Sequence, residues 1–393
     1  MKRKILFLTS QFGHGGVELS LLEAFKAIDP SKYDVTLLIR YDNARSIHLI
    51  PDYVNVIINK EGHYLRNPKA LLFKFLSVFG NVLKNRNITD KYNKKIDEYI
   101  HLKKMQNPYK RYFKKSDFDV VISYTVHTCT EMALEIPADK HYVFFHSGNG
   151  KYHKEITDIT FPLYDKIVAV GPGVQQVLLS EFPQYKDKIV LLSNYIDMPL
   201  IIEKSEACID VSKQNGKWYL CTSSRIDKEK GIDILIETAL MLKNNNVNFE
   251  WYIVGDGGER TNIENFIDKY KLNDYVYLVG FQENPYPYMA LCDIYVQPSY
   301  EEAQPLAVLE ALALGKAVVS TDTLGGRTIL DNGNKGVVVP ISSKGLFEGI
   351  MKLINNPDAM KIYEKVYTLD DNMNEKKNYA NNWDKLLSGS EYC

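Results

Sequence analysis

Residues 300–322, YEEAQPLAVLEALALGKAVVSTD, place a carboxylate where the surrounding pattern leaves least room for one. Between Pro305 and Val319 the only ionisable side chains are Glu310 and Lys316, while Leu306, Val308, Leu309, Ala311, Leu312, Ala313 and Leu314 leave no broad polar face. A helix of this kind is buried. The apolar runs IYVQPS (294–299) and AVVSTD (317–322) flank it, so the segment reads as strand, helix, strand, the unit from which parallel sheets are built. An unpaired buried carboxylate is costly, and Glu310 has no local partner at helical spacing, Lys316 being six residues away. A ligand could be that partner.

The same alternation extends over most of the chain. KILFLTS, YDVTLLI, DVVISY, HYVFFHS, KIVAVG and KIVLLSN form one series of strand-like runs, with helical patterns such as GVELSLLEAFKAI between some of them. WYLCTSS, FEWYIVG, VYLVG, IYVQPS, AVVSTD and GVVVP form a second. At 393 residues the chain is long enough for two cores. The expected organisation is a first α/β domain over 1–195, a polar linker over 196–217, a second α/β domain over 218–368, and a tail from 369 to 393. That tail reads as a helix packing back across the domains, anchored by Trp383 and Leu386. Two doubly wound domains facing across a cleft are expected, with ligands beyond the carboxyl ends of the strands.

Composition narrows the class. With 45% hydrophobic and 25% charged residues the chain is an ordinary soluble globular protein. Cys129, Cys208, Cys221, Cys292 and Cys393 are odd in number, scattered and without CxxC spacing, which points to reduced thiols in the cytoplasm rather than a zinc site or disulfides. No apolar run approaches the length of a membrane span, and the apolar start of the chain is too short for a secretion signal. Charge is uneven: from Lys60 to Lys115 fifteen Lys and Arg stand against four acids, a net +11, leaving -12 for the remainder. Within this basic insertion, about 60–116, Leu72, Phe75, Leu76, Phe79 and Leu83 share a helical face. An interfacial helix for an anionic membrane surface and a core helix followed by a solvated basic stretch both fit. No nucleic-acid-binding motif accompanies the charge, so no nucleic acid partner is expected.

Four strand ends carry candidate chemistry. Glu302 lies just before the opening helix and Glu310 inside it, so both can look into one crevice, and carboxylates accept hydrogen bonds from hydroxyl-rich ligands. Pro305 suits the first helical position and Gln304 is a poor cap, which leaves the amides around Leu306 and Ala307 to meet an anion. In CTSSRIDKEKGIDILIETALML, Arg225 follows a strand and Lys230 precedes a helix, a forked and a point cation suited to phosphate. In TSQFGHGGVELSLLEAF, Gly13, Gly15 and Gly16 permit close backbone approach, though a tight turn explains them as well. His146, in YVFFHSGNG, ends another strand beside a glycine loop; a lone His is more often structural, but this position favours function.

Taken together these segments resemble family 4 of the glycosyltransferases. The resemblance rests on EEAQPLAVLEALALGKAVVSTD, with Glu302 and Glu310 separated by seven residues, on SSRIDKEKG, on YIVGDGGER, on GGVELSLLEAF, and on IVAVGPGVQQVLLSEFP followed by KIVLLSNYID. These occur in the family's order and cover most of the chain; segment 60–116 matches nothing in it. The resemblance implies a GT-B fold of two Rossmann-like domains and transfer from a nucleotide sugar with retention of anomeric configuration. It implies that Glu310 binds the ribose, that Glu302 contacts the donor sugar, and that Arg225 and Lys230 neutralise the departing diphosphate with no metal or other cofactor. Leu306 and Ala307 belong to the same donor site. Gly15 and Gly16 would face the phosphates and His146 the reacting centre. Ala303 and Gln304 replace a Gly and an aromatic residue usual after the first Glu, and Thr328 stands where a Glu is usual.

The expectation is a transferase moving a hexose or N-acetylhexosamine, UDP-linked, to a lipid-linked saccharide acceptor in bacterial-type cell-surface polysaccharide synthesis. It would sit in the cytoplasm, peripherally at the inner face of the membrane. A hydrolysing nucleotide-sugar epimerase of the same fold, or an inactive nucleotide-sugar-binding partner subunit, are the alternatives.

Overall fold

The computed structural model describes residues 1–13, 15–40, 46–58, 118–126, 129–148, 154–363 and 366–390. The basic segment from Lys60 to Lys115, with its expected amphipathic helix, lies outside them. Two compact units make up the chain, the first taking in Met1–Phe145, His153–Val168 and Leu387–Gly389, the second His146–Tyr152, Ala169–Leu386 and Ser390–Cys393.

One sheet has seven strands: β1 (Arg3–Thr9), β2 (Tyr33–Ile39), β3 (Asn55–Ile58), β4 (Phe118–Ser123), β5 (Ala138–Phe145), β6 (Lys166–Ala169) and β7 (Ile189–Leu191), in the order β3-β2-β1-β4-β5-β6-β7. β1 pairs in parallel with β2, Ile5 opposite Val35, and with β4, Ile5 opposite Val120. Ile5, Leu6, Phe7 and Leu8 are all fully buried, as expected of a parallel strand covered on both faces. The Gly16–Ala27 helix covers one of those faces, its Phe25 ring meeting Phe7 edge-on at 5.3 Å. The apolar runs anticipated β1, β2 and β4 to β7. They miss β3, a four-residue edge strand with no buried side chain and so little apolar signal.

The other sheet has six strands: β8 (Trp218–Ser223), β9 (Phe249–Val254), β10 (Val276–Gly280), β11 (Ile294–Gln297), β12 (Ala317–Thr321) and β13 (Val337–Val339). Their order is β10-β9-β8-β11-β12-β13, and all five neighbouring pairs are parallel. Alternate residues face separate cores. Ile294 and Val296 join Leu220, Leu235 and Ile350 on one side, while Tyr295 joins Cys221, Val308 and Leu312 on the other. Strand order reverses direction at β8 and β11, which makes the carboxyl ends of those two strands the place for a ligand in this unit.

The polar stretch 196–217 is not without structure: a helix runs over Met198–Ser205, and the Asp197 carboxylate accepts from Leu200 N at 3.3 Å as its cap. The last helix, Leu369–Ser388, buries Trp383 and Leu386 as anticipated. Its buried Asn372 donates to Ile196 O at 2.8 Å and accepts from the Tyr195 hydroxyl at 3.0 Å. Among the described residues no helix is long and apolar enough to cross a membrane. Cys129, Cys221 and Cys292 are buried and Cys208 exposed, all as free thiols.

Candidate functional site

The chain leaving β8 is shaped by its neighbours. Ile226 is fully buried and pins the loop, receiving Glu259 N at its carbonyl at 2.9 Å and donating its own N–H to Asp256 O at 3.0 Å. The glycine turn that supplies these groups must lie flat against the loop. Gly255 has φ 143°, and a side chain there would meet Ser224 O at 1.9 Å. Gly231, at φ 62°, starts the Ile232–Asn244 helix under the same constraint, since a side chain would meet Pro298 O at 2.1 Å. Arg225 and Lys230 therefore project from a backbone clamped on two sides.

Their partners differ. The Arg225 guanidinium pairs with Asp227 and, at 2.5 Å, with Glu229, and is 59% exposed. Asp227 also accepts from Gly258 N at 3.2 Å, so one carboxylate joins Arg225 to the glycine turn. Lys230 points the other way: its Nζ lies 2.9 Å from Glu302 Oε1, with only 18% and 11% of the two side chains exposed. Seventy-two residues apart in sequence, the predicted cation and the predicted first carboxylate are in direct contact.

Glu302 is held by its backbone as well, its carbonyl receiving Gly325 N at 2.9 Å. Tyr300 N donates to Glu229 O at 2.9 Å, which ties the loop after β11 to the loop after β8. The helix that follows begins at Leu306, with Pro305 as its N-cap rather than its first residue, and no side chain caps it. Gln304 is engaged elsewhere, its Oε1 accepting from Asn194 N at 3.1 Å. The amides at Leu306 and Ala307 thus begin a helix whose start attracts anions. The helix ends in a Schellman turn: Lys316 N bonds to Ala311 O, Gly315 N to Leu312 O, and Gly315 takes φ 65°. Thr328, replacing the expected acid, donates to Leu324 O within its own helix at 2.7 Å.

Glu310 is 7% exposed, and its partner is a side chain. The Tyr286 hydroxyl donates to Glu310 Oε1 at 3.2 Å, while Lys316 turns to Ala290 O at 2.6 Å. Burial pushes the Glu310 carboxyl up to about 7, against the pull of the Tyr286 hydrogen bond. No partner stands at helical spacing, as expected, and the one the structure supplies is distant in sequence. Tyr286 lies 24 residues upstream, outside any local spacing rule.

His146 follows β5 directly and is half-buried. Its neighbour Gly148 comes so close to Glu302 that a side chain there would meet the Glu302 carbonyl oxygen at 2.8 Å, and Ser147 Oγ lies 3.3 Å from Glu301 Oε1. The structure thus brings the His146 segment beside Glu302. Gly15 and Gly16 start the first helix of the other unit, Gly15 extended at φ -85° and without a side-chain cap. The carboxylate of buried Glu18 lies against Gly15, where an added side chain would meet Glu18 Oε2 at 2.4 Å. A helix start favours negative charge, and Glu18 supplies one. Sequence reasoning missed Glu18, although an acid three residues after a helix cap is the usual signal for it.

Residues 205–368 match the family model described as glycosyl transferases group 1. Among curated relatives, the chain is 27% identical over 240 residues to the N-acetylgalactosamine-N,N'-diacetylbacillosaminyl-diphospho-undecaprenol 4-alpha-N-acetylgalactosaminyltransferase of Campylobacter jejuni, covering 61% of each chain. It is 23% identical over 319 residues to the GtfA subunit of the UDP-N-acetylglucosamine peptide N-acetylglucosaminyltransferase of Limosilactobacillus reuteri, covering 78% of this chain and 60% of that one. The chain thus matches about three fifths of the length of these relatives. Among solved structures, HepE of Anabaena in complex with UDP and glucose superimposes with a TM-score of 0.66 at 17% identity over 99% of both chains. A glycosyltransferase from Rickettsia africae gives 0.69 at 18% identity over 99% of this chain and 100% of that one. The fold is GT-B, built from two Rossmann-like α/β domains.

Proposed function

We propose that this protein is a retaining glycosyltransferase that moves a hexose or N-acetylhexosamine from a UDP-sugar to a lipid-linked saccharide. The observation that carries the reading is the Lys230–Glu302 contact at 2.9 Å, at the carboxyl ends of β8 and β11, with Arg225 and Glu310 on the same two loop-and-helix segments. Cations for a diphosphate and carboxylates for hydroxyls suit a sugar nucleotide. In the reaction, the bond from the anomeric carbon to the diphosphate oxygen breaks and a bond to the acceptor oxygen forms. The acceptor proton leaves with the diphosphate. Arg225 and Lys230 stabilise the charge that develops there, with no metal ion required, and the ribose hydroxyls donate to Glu310. His146 stands on the sugar side, beside Glu302. Incubating the purified protein with a panel of UDP- and GDP-sugars should show slow hydrolysis of at least one UDP-sugar. No hydrolysis and no binding across the panel would overturn the reading.

The acceptor class is supported by the Campylobacter relative, whose name specifies a diphospho-undecaprenol saccharide, and by the +11 segment from Lys60 to Lys115. On this proposal the segment attracts the protein to an anionic membrane surface, at about 1 kcal/mol per basic residue near the lipid and within a Debye length of ~8 Å. Reversing Lys103, Lys104, Lys114 and Lys115 to Glu should release the protein from anionic liposomes in a sedimentation assay and leave donor hydrolysis unchanged. Equal sedimentation of variant and wild type would count against membrane attachment through this segment.

A further inference from the structure

The oxygen Glu302 Oε1 accepts three hydrogen bonds: from Ser299 Oγ at 2.7 Å, Lys230 Nζ at 2.9 Å and Gln297 Nε2 at 3.1 Å. All the bonds that the Glu302 carboxylate accepts among the described residues end on this one atom, which saturates it and leaves Oε2 as the oxygen with acceptor capacity to spare. Lys230 contributes charge. Ser299 and Gln297 are neutral and lie deeper, Ser299 fully buried and Gln297 2% exposed.

A glutamine on a buried strand is costly unless every polar atom is used, and Gln297 uses both ends of its amide. Its Nε2 also donates to Ser299 Oγ at 2.9 Å, and its Oε1 accepts from the Tyr295 hydroxyl at 2.9 Å. The amide has only one workable orientation, because the flipped form would turn its oxygen toward the Glu302 carboxylate. Strand geometry makes the chain possible: Tyr295 and Gln297 are two apart on β11 and share one face, and Ser299 continues beyond the strand end. Thr321, on the neighbouring β12, fixes that end by donating to Ser299 O at 2.6 Å. The line of contacts runs from fully buried Tyr295 in the core to the largely covered Glu302 carboxylate beyond the carboxyl end of β11.

We propose that Gln297, backed by Tyr295 and acting with Ser299, is the positioning residue that locks the Glu302 carboxylate so that Oε2 alone faces the donor sugar. The proposal rests on the glycosyltransferase reading and adds to it how this chain aims its first carboxylate. Gln297 touches no substrate; it acts through Glu302. Its loss therefore affects sugar-dependent steps and spares the nucleotide, which other residues hold.

The test uses the full chain, with UDP and with UDP-glucose, UDP-galactose, UDP-N-acetylglucosamine and UDP-N-acetylgalactosamine as probes. Gln297→Leu keeps the volume and deletes all three hydrogen bonds of the amide. Its Kd for UDP should stay within about twofold of wild type, while kcat for hydrolysis of the accepted UDP-sugar falls about 10- to 100-fold, the scale expected for loss of alignment at a reacting centre. A double-mutant cycle with Glu302→Gln separates positioning from general support of the fold. In the Glu302→Gln background Gln297→Leu should cost less than about twofold further in kcat. Equal losses in both backgrounds, or a folded Gln297→Leu with wild-type kcat, would overturn the proposal. Should Gln297→Leu fail to fold, Ser299→Ala takes its place with the same expected pattern. Wild-type protein that neither binds UDP nor hydrolyses any probe would instead sink the glycosyltransferase reading, and this proposal with it.

Discussion

Replacing Lys230 by Ala is expected to lower kcat by about 10² to 10³, the loss typical of one preorganised donor aimed at developing charge. The same substitution should destabilise the fold, because Lys230 and Glu302 form a contact at 2.9 Å with most of both side chains covered. Removing one partner of a fully buried pair costs about 3 to 5 kcal/mol, and the remaining exposure together with the Ser299 and Gln297 bonds brings this pair below that range. Arg225→Ala provides the contrast. With its guanidinium 59% exposed and paired to Asp227 and Glu229, its removal should change stability by less than about 1 kcal/mol. Its effect on kcat should nevertheless be as large as that of Lys230→Ala, since the proposed reaction assigns both cations to the departing diphosphate. Single-turnover rates and thermal melts of the two variants test this. A kcat within threefold of wild type for either one would remove it from the chemistry. Activity abolished by EDTA and restored by Mg²⁺ or Mn²⁺ would refute the metal-free mechanism.

Glu310→Gln is expected to separate stability from binding. In the folded chain the carboxyl titrates near 7 instead of 4.5, so between these values the native state keeps a proton that the unfolded chain has released. Stability therefore falls as pH rises through that window, and above about 7 the ionised, buried Glu310 costs up to about 3 kcal/mol. Glutamine carries no such charge and still offers an oxygen to the Tyr286 hydroxyl. Above pH 7 the variant should melt higher than wild type, and near pH 4.5 the difference should vanish. Its affinity for UDP should be weaker by about 1.5 to 3 kcal/mol at pH 8, as for loss of a hydrogen bond to a charged group. Wild-type affinity should itself rise between pH 6 and 8 as the carboxylate forms, and the variant should lack that rise. Calorimetry across this range checks both parts; a variant that binds UDP as tightly as wild type would show that Glu310 does not hold the nucleotide.

The alternation of apolar runs and helical patterns was enough to establish two parallel α/β sheets, because periods of 2.0 and 3.6 residues report local faces and need nothing distant. β2 and β10 run over the stretches that the apolar pattern marks, and the buried helix carrying Glu310 was legible from its lack of a polar face. Glu302, Arg225 and Lys230 stood out as candidates because they follow strand-like runs, and Glu310 because it is a lone acid in an apolar helix. Their relations were not legible. Strand order β10-β9-β8-β11-β12-β13 sets β8 beside β11, which brings Lys230 to Glu302 across 72 residues. The pairing of Tyr286 with Glu310 likewise depends on the fold, which brings a hydroxyl of the Tyr286–Leu291 helix within hydrogen-bond distance of a carboxylate on the Leu306–Ala313 helix. Gln297 reads as one polar letter in an apolar strand. Only the tertiary structure, by placing Tyr295 behind it and Glu302 before it, gives both ends of its amide a partner, because hydrogen bonds between side chains are decided by proximity in space and leave no period in the sequence.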